Sequence, residues 1–275
     1  GTFQGLSILE NQSFHNIKSD PLSEGSLSQN SVRCISQDNQ GGMWLGTWFG
    51  GVNYWHPLRN RFTSIKMTYG NNSLNDNVVN CITEDSDGSL WIGTNSGGVN
   101  HLDSGTGRFT YYKLKPDDAE NVESNDIKAI YIDEDTGLIY VGAHAGGLNV
   151  IDKSTKKIHH CQYERSDAQD LDVYAILNMG QQKLLLGTLS GLKTYDKSNG
   201  RFNSIYEDVN GYPIRKLRIK TLLKDSQGRL WIGGENRLGV YDIKDSMLHK
   251  NSLLPSDSPL YSAYTEGFLE SSTKM

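Results

Sequence analysis

Very little in this sequence points to catalysis, metal binding or membrane insertion. The three cysteines, Cys34, Cys81 and Cys161, are odd in number and lack CxxC spacing, so neither a disulfide framework nor a zinc site is indicated. No apolar run reaches the ~18 residues that a membrane-spanning helix needs, so this segment makes no direct membrane contact. Lys and Arg number 27 against 32 Asp and Glu, and the net charge of −5 is spread thinly. Without a basic stripe, nucleic acid is excluded as a partner. There is no GxSxG, no Walker glycine loop, no HExxH and no GxGxxG after a strand. The seven histidines form no spaced cluster, and the sequence offers no catalytic residue, metal site or cofactor site. A signal peptide is also missing. The chain opens in the middle of a repeat, however, which reads as a segment of a longer protein and leaves compartment open.

What the chain does have is glycine and a repeat. Its 29 glycines in 275 residues exceed the usual ~7%, which implies many tight turns. Trp44-Leu45-Gly46-Thr47, Trp91-Ile92-Gly93-Thr94, Tyr140-Val141-Gly142-Ala143, Leu185-Leu186-Gly187-Thr188 and Trp231-Ile232-Gly233-Gly234 are five versions of one tetrad, spaced by 47, 49, 45 and 46 positions. Turns such as Asp85-Ser86-Asp87-Gly88 and Asp225-Ser226-Gln227-Gly228 precede the tetrad, and glycine with a short apolar segment follows it, as in Gly98-Val99-Asn100. In the second copy the pattern predicts strands over 78–84, 90–94, 99–103 and 109–113. Four short strands in a period of forty-odd residues are the signature of a β-propeller blade. The expected fold is therefore all-β, a single propeller domain of four-stranded antiparallel blades. The tetrad tryptophans are expected to fill the space between blades rather than stack on a ligand. The tetrad glycine should let the neighbouring sheet approach closely.

The chain ends are complementary in phase. Residues 1–17 align with the end of a second strand and then the third and fourth, whereas 261–275 align with a first and second strand. The alignment predicts five complete blades and a sixth composed from the two termini, or else an arc of a larger ring.

Two stretches carry a resemblance. Asp85-Ser86-Asp87-Gly88-Ser89-Leu90-Trp91-Ile92-Gly93-Thr94 through Asn100, and Asp38-Asn39-Gln40-Gly41-Gly42-Met43-Trp44-Leu45-Gly46-Thr47 through Tyr54, resemble the two-component-regulator propeller repeat. That repeat builds the periplasmic sensor region of bacterial hybrid two-component systems. The resemblance implies a periplasmic module of an inner-membrane sensor that binds an oligosaccharide and signals through adjacent domains to a histidine kinase. Its members usually carry two seven-bladed propellers, so the larger ring of which this chain would be an arc is a seven-bladed one.

A ligand site follows from topology. Loops between second and third strands emerge on the same face as loops between blades. The loops between blades, 67–77, 114–126, 163–170, 207–217 and 251–260, are long and variable, and are expected to carry recognition. On the second-to-third-strand loops, Trp48, Phe49, Asn95, His144 and Arg237 are the candidate ligand-binding residues. Aromatic faces stack on sugar rings, and amide, imidazole and guanidinium groups satisfy hydroxyls or carboxylates. The alternatives are a surface for protein interaction or homodimerisation, on which the same aromatics pack against a neighbouring domain, and a propeller lyase or hydrolase.

Overall fold

The structure, a computed structural model, describes residues 1–10, 13–20, 25–56, 59–68, 72–114, 124–161, 172–205, 214, 217–235, 237–244, 247–250, 265 and 267–268. Short alternating segments broken by Asp/Gly turns cannot bury helical faces, and they pair with their sequence neighbours instead. An N-terminal hairpin joins β1 (Leu6–Glu10) to β2 (Ser13–Ile17). Five four-stranded sheets follow. The first holds β3 (Val32–Gln37), β4 (Met43–Thr47), β5 (Gly51–His56) and β6 (Arg59–Ile65). The second holds β7 (Val79–Glu84), β8 (Leu90–Thr94), β9 (Val99–Leu102) and β10 (Phe109–Tyr112), within one residue of the expected bounds. The third holds β11 (Ile127–Asp133), β12 (Leu138–Ala143), β13 (Gly147–Asp152) and β14 (Ile158–His160). The fourth holds β15 (Val173–Gly180), β16 (Lys183–Thr188), β17 (Gly191–Asp196) and β18 (Arg201–Ile205). The fifth holds β19 (Ile219–Lys224), β20 (Leu230–Gly234), β21 (Arg237–Lys244) and β22 (Met247–Lys250). Each sheet is a meander in sequence order. These are the blades of a β-propeller fold.

The chain divides into two compact units, Gly1–Ile139 and Tyr140–Met275, with the division inside β12. In the first unit, Val52, Leu74, Val79, Ile82, Leu90 and Ile92 form one buried cluster, and Leu6, Leu27, Val32 and Leu45 another. In the second, Leu185, Leu192, Ile214, Ile219, Leu230 and Ile232 belong to one buried cluster.

The tetrad glycine works by absence of a side chain. A Cβ on Gly46 would lie 2.7 Å from Val79 Cγ1, and one on Gly93 2.6 Å from Ile127 Cγ2. One on Gly187 would lie 2.7 Å from Ile219 Cγ2. Val79, Ile127 and Ile219 each open the first strand of the next blade, so the glycine admits that strand. A Cβ on Gly1 would lie 2.8 Å from Val32 Cγ1 in the same way. Thr2 Oγ1 donates to the Gly5 carbonyl at 2.9 Å, as Thr47 does to Gly51 and Thr94 to Gly98. Gly1-Thr2 thus occupies the place that the end of a second strand takes in the blades, where the repeat alignment puts it. At the other terminus, a Cβ on Gly233 would meet Thr265 and Phe268, which occupy the place of a following strand. The remaining residues of the expected composite blade, 261–264, 266 and 269–275, lie outside the described residues.

Candidate functional site on the loop face

Two positions per blade build this face. One is the first residue of the loop between the second and third strands. Its amide donates to the residue just before the blade's first strand: Trp48 N to Ser31 O at 2.9 Å, Asn95 N to Val78 O at 3.0 Å, Glu235 N to Arg218 O at 3.2 Å. The other is the second residue of the first strand. Pairing slips there in four blades, between Val32 and Cys34, Val79 and Cys81, Val173 and Ala175, and Ile219 and Thr221. Arg33, Asn80, Tyr174 and Lys220 are therefore bulge residues. A bulge removes one residue from the ladder and re-aims its side chain. These bulges therefore bring the side chains of Arg33, Asn80, Tyr174 and Lys220 out of the regular ladder.

In the first unit, Arg33 lies between the equivalent loop residues of two successive repeats. Its guanidinium carbon stands 4.7 Å from the Trp48 ring centre and 6.0 Å from that of Phe3. Phe49 packs edge-on to Trp48, with centroids 5.5 Å apart. Phe3 and Phe49 are 64% and 66% exposed. Phe49 also adopts φ +68°, a left-handed conformation that costs a bulky residue about 1–2 kcal/mol. Its exposed ring recovers little of that cost through packing. Arg33 Nε is buried without a hydrogen-bond partner, as is Asn80 Oδ1. In the neighbouring blades, Asn80 Nδ2 donates to Asp126 Oδ1 at 2.9 Å, and Lys128 Nζ lies 2.6 Å from the same oxygen. The Ser96 amide and hydroxyl both donate to Asp76 Oδ2 at 2.8 Å.

In the second unit, His144 Nδ1 lies 2.6 Å from Asp172 Oδ1 and 3.2 Å from the Tyr174 hydroxyl. Lys220 Nζ sits 4.7 Å from the Tyr174 ring centre and 3.7 Å from Glu235 Oε1, while Arg218 Nε reaches Glu235 Oε2 at 2.7 Å. Arg237 opens β21 opposite Gly234; its side chain lies outside the described residues.

Of the residues singled out by sequence, Trp48 and Phe49 come together and Trp48 is half-buried rather than free-standing. Asn95 occupies the equivalent loop position of the next blade, and His144 belongs to a separate cluster in the second unit. Sequence reasoning missed Arg33, Tyr174, Asp172 and Lys220. The signal available was a polar column in an otherwise apolar strand, seen by stacking the repeats at Arg33, Asn80, Lys128, Tyr174 and Lys220.

In the segments that lead from one blade to the next, the described parts nearest the next strand are scaffold. Leu27, Leu74 and Ile214, each five residues before a first strand, are 1%, 1% and 0% exposed. The buried Asn53 and Asn100 side chains accept from the Ser28 and Asn75 amides at 2.8 and 3.0 Å, pinning the segments. Loops 163–170 and 251–260 lie outside the described residues. Among the described residues, no group of three or more His, Cys, Asp or Glu side chains could hold a metal ion, and no helix is long and apolar enough to cross a membrane.

The two-component regulator propeller family matches residues 26–49, 73–96 and 214–236. Each match runs from just before or at the buried anchor, through the bulged first strand, to the site loop. The chain carries two-component regulator propeller repeats. No curated protein matches it. Among solved structures, it is similar to the extracellular domain of a B. thetaiotaomicron protein described as a hybrid two-component system, at 21% identity and TM-score 0.64, covering 88% of this chain and 31% of that one. It is also similar to the extracellular domain of a second B. thetaiotaomicron protein described as a one-component system, at 17% identity and TM-score 0.58, covering 91% and 38%. A computationally designed protein gives TM-score 0.56 at 15% identity, covering 88% and 66%. At these identities the likeness is one of fold. The chain spans about a third of the length of the two extracellular domains.

Proposed function

We propose that this chain is a non-catalytic, ligand-sensing propeller from the periplasmic region of an inner-membrane two-component sensor, and that it binds a short oligosaccharide on the loop face beside Trp48. The observation that carries the reading is the Trp48–Phe49 pair, in which an exposed aromatic ring is held on a strained backbone. Ala145 takes the same left-handed conformation at the equivalent loop position of the third blade, so what sets the first blade apart is the large exposed ring that Phe49 places there. The regulator repeats, and the extracellular domains of similar fold, support the compartment and the sensor role. In this reading adjacent domains of the parent protein carry the signal to a histidine kinase.

The test is calorimetric binding of an oligosaccharide panel, with melting temperature measured on the same samples. Trp48→Ala should weaken binding by about ten-fold or more, which is ~1.4 kcal/mol, at a nearly unchanged melting temperature. Phe49→Asn should weaken binding while leaving stability equal or higher, because asparagine tolerates the left-handed conformation. Unchanged affinity in both variants removes the pair from the site.

A second reading, an interaction or dimerisation scaffold, draws on Leu9 and Phe14. They are cross-strand partners on β1–β2 with 48% and 69% exposure. Equilibrium sedimentation separates the readings: a dimer that Phe14→Ser dissociates, with no sugar bound, favours the scaffold.

A further inference from the structure

We infer that the Phe3–Arg33–Trp48 site recognises a negatively charged group, so that the ligand is an acidic saccharide bearing carboxylate or sulfate. The inference rests on the saccharide reading above and adds the charge of the ligand to it.

The argument is a comparison among equivalent positions. Three of the five first strands carry a cation at the second residue: Arg33, Lys128 and Lys220. Lys128 is neutralised by Asp126 at 2.6 Å, the residue just before the same strand. Lys220 is neutralised by Glu235, the first loop residue of its own blade. At the first blade both of those places are uncharged. Ser31 stands where Asp126 stands in the third blade, and Trp48 stands where Glu235 stands in the fifth. Arg33 is flanked by aromatic rings and has no acidic partner among the described residues. Its Nε is buried with no acceptor.

A partly buried guanidinium with an unmet Nε–H and no acidic partner is held at a cost that an anion on its fork offsets. The cation–π contacts orient the planar fork without neutralising it, and a fork held in one orientation suits bidentate carboxylate or sulfate recognition. The exposed rings of Phe3 and Phe49 supply apolar faces for a pyranose ring beside that fork. The chain as a whole is negative, so anion binding here is a local property of Arg33 and not long-range attraction.

The experiment uses matched probes on the whole chain. Uronate-containing oligosaccharides are titrated alongside the same oligosaccharides after carboxyl reduction, and sulfated oligosaccharides alongside their desulfated forms. The expected result is that one acidic series binds at least about ten-fold more tightly than its neutral counterpart, with a preference that weakens as salt rises. The two series distinguish carboxylate from sulfate. Arg33→Gln should erase the preference and Arg33→Lys should retain part of it; circular dichroism and melting temperature verify that each variant is folded. Equal binding of acidic and neutral probes, or a preference unchanged in Arg33→Gln, overturns the acidic-ligand inference and leaves the saccharide reading intact. Absence of binding to every probe overturns both. Where Arg33→Gln does not fold, loss of the preference at high salt in the native chain decides the matter.

Discussion

The tetrad tryptophan and the turn aspartate form one unit. Trp91 is 2% exposed, lies against His101 with ring centroids 4.2 Å apart, and donates its indole N–H to Asp85 Oδ2 at 2.9 Å. Trp231 repeats the bond to Asp225 at 2.8 Å. Burial alone would raise the Asp225 pKa, yet the bonds from Trp231 and Arg229 outweigh it and hold the carboxyl below its ordinary range. The fourth blade lacks both partners. Leu185 replaces the aromatic residue, no aspartate precedes it, and Gln181 and Gln182 make the turn with φ of +50° and +60°. Asp85→Ala should therefore cost about 1–3 kcal/mol by orphaning a buried indole N–H. In the double variant with Trp91→Phe, the aspartate substitution should cost clearly less, since no N–H remains to satisfy. Urea unfolding of the four proteins in the cycle measures this, and strict additivity would show that the bond contributes nothing.

At the scale of the strand, the tetrad glycine sets how closely successive blades pack. A Cβ on Gly93 would fall 2.4 Å from Cys81 Sγ and 2.6 Å from Ile127 Cγ2, in a fully buried strand. Gly93→Ala should cost about 1–3 kcal/mol, as overpacking does. Gly105 is the control: its nearest neighbour to a Cβ is Asp103 Oδ1 at 3.6 Å, in an exposed turn, so Gly105→Ala should stay within about 0.5 kcal/mol. Chemical denaturation of the pair tests the difference. Strand bounds, the role of this glycine and the core placement of Trp91 were legible in the sequence because each recurs at a fixed period. The bulge at Arg33 was not. Within one strand a single unpaired residue leaves no trace in hydropathy, and simple alternation along 32–37 gives Arg33 no special status; only the stacked repeats show the position. The anchors Leu27, Leu74 and Ile214 were hidden for a related reason: each is one apolar residue in a polar loop, and only the folded structure shows it buried. The aromatic half of the candidate site was thus readable, and the arginine that gives it charge was not.

At the scale of the whole chain, the cysteines make stability depend on alkaline pH. Cys34 packs against the cluster around Val79 and Ile92, and burial, the largest influence, pushes its thiol up to about 12. Burial pushes Cys81 and Cys161 up as well, so both units carry such a thiol. The residue Cys34 as a whole retains some exposure, but a Cβ on Gly46 would lie 2.4 Å from its sulfur, so the ionising atom is the enclosed part. In the unfolded chain a cysteine ionises near pH 8.5, about 3.5 units below folded Cys34. Each thiol's contribution to folding is therefore fully present below about pH 8.5 and is lost progressively as pH rises toward the folded value. Between pH 8 and pH 10 the loss should be on the order of 1–2 kcal/mol for Cys34. The Cys34→Ala, Cys81→Ala double variant should be less stable at neutral pH, through lost packing, yet show a shallower fall on alkalinisation, because the ionisable groups are gone. The measurement is the urea midpoint of both proteins at pH 8 and pH 10. It is paired with iodoacetamide alkylation of the native chain, which should be slow at both pH values at Cys34 and Cys81. Parallel pH slopes, or rapid alkylation of Cys34 at pH 8, would show that the thiols ionise freely in the fold and that the first strands are open to solvent at the tetrad glycine.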